Sequence, residues 1–513
     1  MIRVSSALRA ALPWIGLLAV LVCFGLAASH RFIDGDEGFY LLASRLVTHG
    51  QPLYVDFFYP QAPLLPYVYG AFTALFGRSW MTARLLSGLL SSALATMMFA
   101  QVRRATGRMD AGAAAVVLLL TSCMVLASFP AVKTYSLASV PLFGCFMILA
   151  RDPIPVTRAA IVAAGVLLGL SVSTRSYLVV VLPVFLGWIL FRVEASARPR
   201  ALIAFLGGFV AGILPLIVPF VMYPRETLFD NLGYHAIRTH AGLIGDFRQK
   251  IQVLEAIFFG QTDGGWQFTG LGVVATLGLF RTAARRGPAM LAWLIAAVLG
   301  LVSLLPTPTF VHYFSMCVPY LIAAAVCGAH AHLADRNAVS GRRMAAAVGV
   351  AMVLFVVSAV PGIRANFVVG YPVLGIRDAA DAENWTLARV SAVSAAIDEI
   401  ASPDEPVASL WPGYLFTTAA YPYPGYENDF GWTIADHLSD DQRRIFRISS
   451  LADAQEDFGN HVPRVVVLGN QGNSGVPPVS VYMSLLMVNG YEVRRVLGDT
   501  RIMVCCRAGA VGR

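Results

Sequence analysis

The chain has 513 residues, of which 57% are hydrophobic and only 13% charged, with a formal net charge of +8. Soluble globular proteins carry about 25% charge, so the composition excludes a large soluble enzyme and indicates a polytopic membrane protein. The basic residues stand in short clusters between apolar stretches, which is the pattern of cytoplasmic loops rather than of a nucleic-acid surface. A membrane-crossing helix needs about 20 apolar residues. On that measure spans are predicted near 10–29, 84–101, 111–129, 135–150, 159–173, 177–191, 201–222, 266–280, 288–305, 313–331 and 344–361, about eleven in all. Arg3 and Arg9 precede the first of these, but no small-residue cleavage site leads into a soluble domain, so it is read as an uncleaved span. The seven cysteines are scattered, without a CxxC pair, and the adjacent Cys505 and Cys506 have poor geometry for a mutual bridge.

Basic clusters test the topology. Arg3 and Arg9, then Arg103, Arg104 and Arg108, then Arg151 and Arg158, then Arg192, Arg198 and Arg200 occupy alternate loops. Arg281, Arg285 and Arg286, and then Arg336, Arg342 and Arg343, continue the alternation. All can be cytoplasmic together, which puts the first loop, the 223–265 loop, the PTPTFVHY turn and everything after residue 361 outside.

The first loop, 30–83, is the most informative stretch. Its start, DGDEGFYLLASRLVTHG, carries Asp34, Asp36 and Glu37 ahead of an apolar stripe of Phe39, Leu42, Ala43 and Leu46. The spacing predicts a helix lying flat at the membrane surface. Asp34 and Glu37 have capping-box spacing and suit a helix N-terminus; Asp36 is less well explained by capping. The stretch PLLPYVYGAFTALFG (63–77) is short and opens with prolines, and as a span it would break the charge alternation. It is read as a second interfacial or re-entrant helix.

Residues 223–265 read as a polar outer loop offering Tyr234, His235, Arg238, His240, Arg248 and Lys250 to phosphate or sugar. The domains are therefore 1–361, a transmembrane module, and 362–513, an outer α/β domain. In the latter, 407–411, 464–469 and 501–506 read as strands and 391–401 and 480–490 as helices. Trp411, Tyr414, Tyr421, Tyr423, Tyr426 and Trp432 crowd one long loop, either as a sugar-binding lid or as packing.

The run Asp36-Glu37-x-x-Tyr40-x-x-x-Ser44, then PQAPLLPYVYGAFTALFG, then Arg84-Leu85-Leu86-Ser87, resembles the GT-C glycosyltransferases. Within them it is similar to the bacterial relatives of protein O-mannosyltransferases and lipid A aminoarabinose transferases. The resemblance covers roughly residues 10 to 360. It implies a multi-pass protein of the bacterial inner membrane that takes a sugar from a polyprenyl-phosphate donor and passes it, on the periplasmic side, to a glycolipid or glycan acceptor. It also implies an essential acidic residue in the first outer loop. Two departures stand out. Where aminoarabinose transferases have a lysine before paired prolines, this chain has Gln61-Ala62-Pro63, and where relatives read K-T-D at the fourth span, it reads Lys133-Thr134-Tyr135. The second carboxylate is missing from that place, which argues against a two-carboxylate metal site; no cofactor is assigned and a divalent cation stays open.

The chemistry follows. As the acceptor hydroxyl attacks the anomeric carbon it loses a proton, which a carboxylate within hydrogen-bond reach can take. Asp36, with Glu37 beside it, is the candidate. The departing phosphate needs positive charge rather than an acid, and Lys133, Arg175 and Arg238 are the candidates, against the alternative of side chains reaching for lipid headgroups. His312 and Tyr313, where the family often has a histidine, are either further phosphate contacts or members of an interfacial belt. Tyr40, Tyr59, Gln61 and His235 are the candidates for substrate or acceptor contact. His235 and His240 are five apart, with no Cys or acidic partner at ligand spacing, so no metal site is predicted. No P-loop, dinucleotide fingerprint or GxSxG elbow is present. The competing readings are a lipid-linked sugar flippase or transporter, a polymerase or ligase using a pyrophosphate-linked oligosaccharide, and a non-enzymatic scaffold. The bilayer is a partner in every reading, and nucleic acid in none.

Overall fold

Each predicted span lies on a helix. The computed structural model describes residues 6–154, 157–238, 242–280, 287–333, 339–370, 373, 375–376, 378, 381–469 and 478–505. Arg281, Arg285, Arg286, Arg336, His240 and Cys506 fall outside the described residues. Helices run α1 (Ser6–His30), α2 (Glu37–Thr48), α3 (Leu64–Phe76), α4 (Trp80–Thr106), α5 (Met109–Leu120), α6 (Cys123–Ser128), α7 (Thr134–Leu149), α8 (Arg158–Thr174), α9 (Leu182–Arg192) and α10 (Arg198–Met222). After two short helices, α11 (Pro224–Leu228) and α12 (Tyr234–Ile237), come α13 (Gly242–Phe259), α14 (Gly265–Gly278), α15 (Pro288–Ser303), α16 (Val318–Leu333) and α17 (Val339–Arg364). Among the described residues, four helical stretches are long and apolar enough to cross a membrane: Trp80–Thr106, Arg198–Met222, Val311–Leu333 and Gly341–Val369. Shorter apolar helices account for the other predicted spans, except that 266–280 lies on α14. Prediction and structure differ in continuity: the 111–129 span breaks between α5 and α6, and the 177–191 span opens as a tight 3-10 turn over Ser176–Val181.

The chain divides into two compact units, 1–30 with 84–215 and 242–365, and 31–83 with 216–241 and 366–513. In the first unit, glycines set the closest helix packing. Gly165 and Gly169 on α8 face Gly208 and Gly212 on α10; a Cβ on Gly169 would stand 2.7 Å from the Gly212 Cα, and one on Gly208 3.0 Å from the Val162 Cα. Lipid tails are as apolar as leucine, so membrane helices gain by such close backbone approach rather than by hydrophobic contrast.

The second unit holds the first loop and the C-terminal α/β part. Here α18 (Leu387–Ile400), α19 (Asp440–Phe446), α20 (Leu451–Gly459) and α21 (Val479–Val488) accompany a five-stranded mixed sheet. Strands β1 (Pro406–Ser409), β2 (Tyr421–Pro422), β3 (Val465–Leu468), β4 (Tyr491–Leu497) and β5 (Thr500–Cys505) are ordered β2-β1-β3-β5-β4. The first three are parallel, and β5 runs antiparallel to both β3 and β4. The predicted strands correspond to β1, β3 and β5, and the predicted helices to α18 and α21. The β4 strand was not expected. Its signal is the Gly498-Asp499 pair, which joins β4 to β5 as a two-residue hairpin with Gly498 at φ +63°.

The flat surface helix predicted for 37–48 is corrected. From Glu37 to Leu46 every residue of α2 is buried. The apolar stripe read from the sequence is real, but the opposite face is covered as well. A Cβ on Gly38 would stand 2.7 Å from the Trp411 ring, and one on Gly70 of α3 would stand 2.6 Å from the Ser44 carbonyl oxygen. Arg45 donates to the Leu415 carbonyl. Contacts from far along the chain, invisible to local periodicity, cover the polar side.

The buried loop 425–429 of this unit contains an unusual carboxyl group. Glu427 Oε2 accepts from the Gly425 amide at 2.8 Å, yet burial pushes the carboxyl up to about 8. Between the usual 4.5 and about 8 the folded chain keeps a proton that the unfolded chain has released. Stability therefore falls as pH rises through that window, and the contribution is complete only below it. Glu427→Gln keeps the acceptor for Gly425 and removes the ionisation. Its melting temperature, followed by tryptophan fluorescence of the detergent-purified chain, is expected to exceed wild type by several degrees at about pH 9 and to converge with it at about pH 4.5. A constant offset at all pH values would contradict this account.

Candidate functional site

Two clusters, one in each unit, hold most of the predicted residues. In the first unit, Lys133 occupies the N-cap of α7 with extended backbone and is only 3% exposed. Arg175 caps the C-terminal end of α8. The two helices are tied together where Ser171 Oγ donates to the Ala138 carbonyl at 2.8 Å. Arg175 Nη1 donates to Thr134 Oγ1 at 2.6 Å. Its guanidinium lies 4.5 Å from the centroid of Tyr135, 4.8 Å from Tyr177 and 5.5 Å from Tyr313. His312 stacks on Phe310 at 5.3 Å and meets Tyr135 edge-on at 6.0 Å. Lys133, Arg175, His312 and Tyr313, widely separated in sequence, therefore belong to one cation–aromatic cluster.

The electrostatics of that cluster favour an anion. A helix N-terminus carries partial positive charge, and here Lys133 and Arg175 both stand at the N-terminus of α7. Three tyrosine rings stabilise the guanidinium through their faces and leave its planar fork suited to bidentate oxygen pairs. Thr134, Tyr135 and Tyr177 were not singled out from the sequence. Their signal was adjacency, in Lys133-Thr134-Tyr135 and Arg175-Ser176-Tyr177, which has no meaning until α7 and α8 pack.

In the second unit the three acidic residues separate into two kinds. Arg31, 4% exposed, pairs with Asp34 at 3.4 Å and with Glu37 at 3.9 Å. Glu37 is fully buried, and its Oε1 accepts from the Asp34 amide at 2.8 Å. The predicted capping box is therefore half present. Glu37 reaches back as expected, but the N-cap position belongs to Asp36, and the Asp34 carboxylate accepts from the Asp36 amide at 3.2 Å instead. Asp36 itself is half-buried, and its side chain does not cap α2. Arg31 was missed in the sequence because it reads as the end of the first span.

The remaining candidates line up along the other end of the first loop. Tyr40 is 4% exposed and Tyr59 fully buried, with ring centroids 6.4 Å apart. The Tyr59 amide donates to Asp230 Oδ2 at 2.7 Å. Burial holds the Asp230 carboxyl well above the ordinary range, and its Oδ1 has no hydrogen-bond partner. Asp230 lies in a π-helical turn, Phe229–Gly233, a local widening that turns side chains out of the usual register. His235 Nε2 lies 3.1 Å from the Pro60 carbonyl, and the half-buried Gln61 accepts through its own carbonyl from Tyr54 Oη at 2.8 Å. Arg238 caps the end of α12 and is half-buried.

The 223–265 loop is largely helical rather than an open polar loop. Tyr234 is buried. Lys250 Nζ donates to the Leu304 carbonyl at 2.9 Å, fastening α13 beyond the end of α15. The aromatic loop of 411–432 also resolves in favour of packing: Trp411, Tyr414 and Tyr426 are at most 1% exposed. Among the described residues no group of three or more metal-ligating side chains converges.

No protein-family model and no curated protein matches the chain. Solved structures do. ArnT from Cupriavidus metallidurans, bound to undecaprenyl phosphate, aligns with a TM-score of 0.65 at 15% identity over 98% of this chain and 100% of that one. The same protein in its apo state aligns with a TM-score of 0.65 at 13% identity, covering 96% and 98%. Arabinosyltransferase EmbB from Mycobacterium smegmatis aligns with a TM-score of 0.43 at 13% identity, covering 71% and 40%. The fold is thus ArnT-like over 98% of the chain, a multi-pass membrane architecture, as the first-loop resemblance led one to expect.

Proposed function

We propose that this protein is a GT-C glycosyltransferase of the bacterial inner membrane that takes a sugar from a polyprenyl-phosphate carrier and transfers it, outside the cytoplasm, to an envelope glycolipid or polysaccharide. The observation that carries the reading is the cation–aromatic cluster of Lys133, Arg175, Tyr135, Tyr177, Tyr313 and His312, built around positive charge at a helix N-terminus. Such a cluster suits the phosphate of a carrier lipid. Support also comes from the shared fold, since ArnT of that fold is bound to undecaprenyl phosphate. In the first loop, Asp36, at the N-cap of α2 and partly exposed, takes the acceptor proton; Asp34 and Glu37 are buried beside Arg31. The reaction is a single displacement with inversion. The acceptor oxygen bonds to the anomeric carbon, the carbon–phosphate oxygen bond breaks, the proton goes to Asp36 and the carrier phosphate leaves as an anion.

The test combines purified protein in detergent with a panel of undecaprenyl-phosphate sugars and an envelope lipid extract, and reads a one-sugar mass gain by mass spectrometry. Release of undecaprenyl monophosphate belongs to this reaction, whereas transfer from an undecaprenyl-pyrophosphate oligosaccharide offered in parallel, with release of undecaprenyl pyrophosphate, would establish a polymerase or ligase. Movement of the labelled carrier across liposomes without a mass gain would establish a flippase. Arg175→Lys keeps the charge but gives up the planar fork and the ring stacking. It is expected to raise the KM for donor about tenfold, equivalent to about 1.4 kcal/mol. An unchanged donor KM would remove Arg175 from the phosphate site.

A further inference from the structure

The acid turn is held by residues that lie some 350 to 380 positions later in the chain. On one side of it the Ile33 amide donates to the Trp385 carbonyl at 2.7 Å. In its middle the Trp411 indole Nε1 donates to the Gly35 carbonyl at 3.0 Å. Trp411 is itself fully buried. It stacks on Trp80 at 5.9 Å and meets Trp385 and Tyr414 edge-on at 5.3 and 4.9 Å. It stands just past the end of β1, where the Leu410 amide still bonds to the Val467 carbonyl at 3.0 Å and Ser409 Oγ donates to the Trp411 carbonyl at 2.7 Å. Gly38, in the first turn of α2, lies against the same indole with no room for a Cβ. The backbone is thus fixed on both flanks of Asp36, at Gly35 by Trp411 and at Glu37 by the Asp34 and Arg31 contacts, while Asp36 remains partly exposed.

We infer that Trp411 is a positioning residue for Asp36, and that orienting this carboxylate is a function of the C-terminal α/β part. The inference rests on the role proposed for Asp36. Its physical basis is orientation: a general base displaced by a fraction of an ångström loses much of its advantage. A tryptophan anchored at a strand end supplies both a donor and a rigid wall.

The test separates the indole N–H from the ring. Replacing Trp411 with benzothienylalanine removes only the donor, whereas 7-azatryptophan retains it; Trp411→Phe and Gly38→Ala are the genetic counterparts. Loss of one hydrogen bond at a reacting geometry is expected to lower kcat per folded molecule about tenfold, with KM for donor and acceptor unchanged. The 7-azatryptophan protein keeps the wild-type rate. In parallel, hydrogen exchange of the Asp36 and Glu37 amides should accelerate about tenfold in the benzothienylalanine and Phe proteins. A packing role alone would leave the benzothienylalanine protein like wild type in both readouts and would overturn the inference. If wild type transfers no sugar from any carrier, the transfer reading fails, and unchanged exchange in the benzothienylalanine protein would still overturn the hold of Trp411 on the turn.

Discussion

Asp36→Asn is expected to lower kcat for sugar transfer about 10²- to 10⁴-fold, the range for loss of a positioned general base, while the protein folds and melts like wild type. The neighbouring substitution should do the reverse. Glu37 is fully buried, bonded to the Asp34 amide and 3.9 Å from the buried Arg31. Glu37→Gln leaves that guanidinium with a weaker set of partners, at a cost of about 2 kcal/mol in stability. Its activity per folded molecule should stay within a few-fold of wild type. Two adjacent acids, substituted in the same conservative way, thus give opposite signatures. The measurement is initial rate by mass spectrometry, normalised to the monodisperse fraction, beside a thermal melt of each variant. Full transfer by Asp36→Asn at normal folded yield would exclude it as the base. A severe rate loss in a fully folded Glu37→Gln would move the chemistry to Glu37.

Gly208→Ala is expected to prevent stable folding of the first unit, whereas Gly207→Ala, one residue away, should be neutral or mildly stabilising. Gly207 has no heavy atom within 4 Å of the position its Cβ would take; that of Gly208 would fall into the backbone of α8, 2.9 Å from the Val162 carbonyl carbon. Backbone cannot move aside as a flexible side chain can, so the helices must separate and lose the contact along the whole Gly165–Gly169 seam. Overpacking of this kind costs about 3 kcal/mol or more; the Gly207 change gains up to about 1 kcal/mol in helix propensity. Monodispersity on size exclusion and the melting temperature in one detergent decide the matter. Equal behaviour of the two variants would mean that α8 and α10 do not approach as closely as described.

The two comparisons depend on different depths of information. The positions of the apolar helices, the acid turn ahead of α2, the proline-led α3 and three of the five strands were all legible from the sequence. Each is written in a local pattern: a long apolar run, a stripe at helical spacing, or a β-branched stretch bounded by turn residues. Even β4 had a written signal in Gly498-Asp499. Asp36 was legible as the candidate base, with Glu37 beside it, because capping accounts for Asp34 and Glu37 more readily than for Asp36.

Tertiary structure decided that Asp34 and Glu37 meet a buried Arg31, because that pairing depends on where Arg31 packs. It decided that α2 is enclosed rather than flat on a surface, because Trp411, Gly413 and Leu415 supply its second wall from some 370 residues away. It also brought Lys133, Arg175, His312 and Tyr313 into one cluster, since residues 40 to 180 positions apart meet only where helices pack. The sequence by itself determined which segments are apolar and which residues carry charge, because those are properties of residues and their near neighbours. Which charges meet one another and what holds them in place are properties of contacts between distant segments, and only the folded chain contains them.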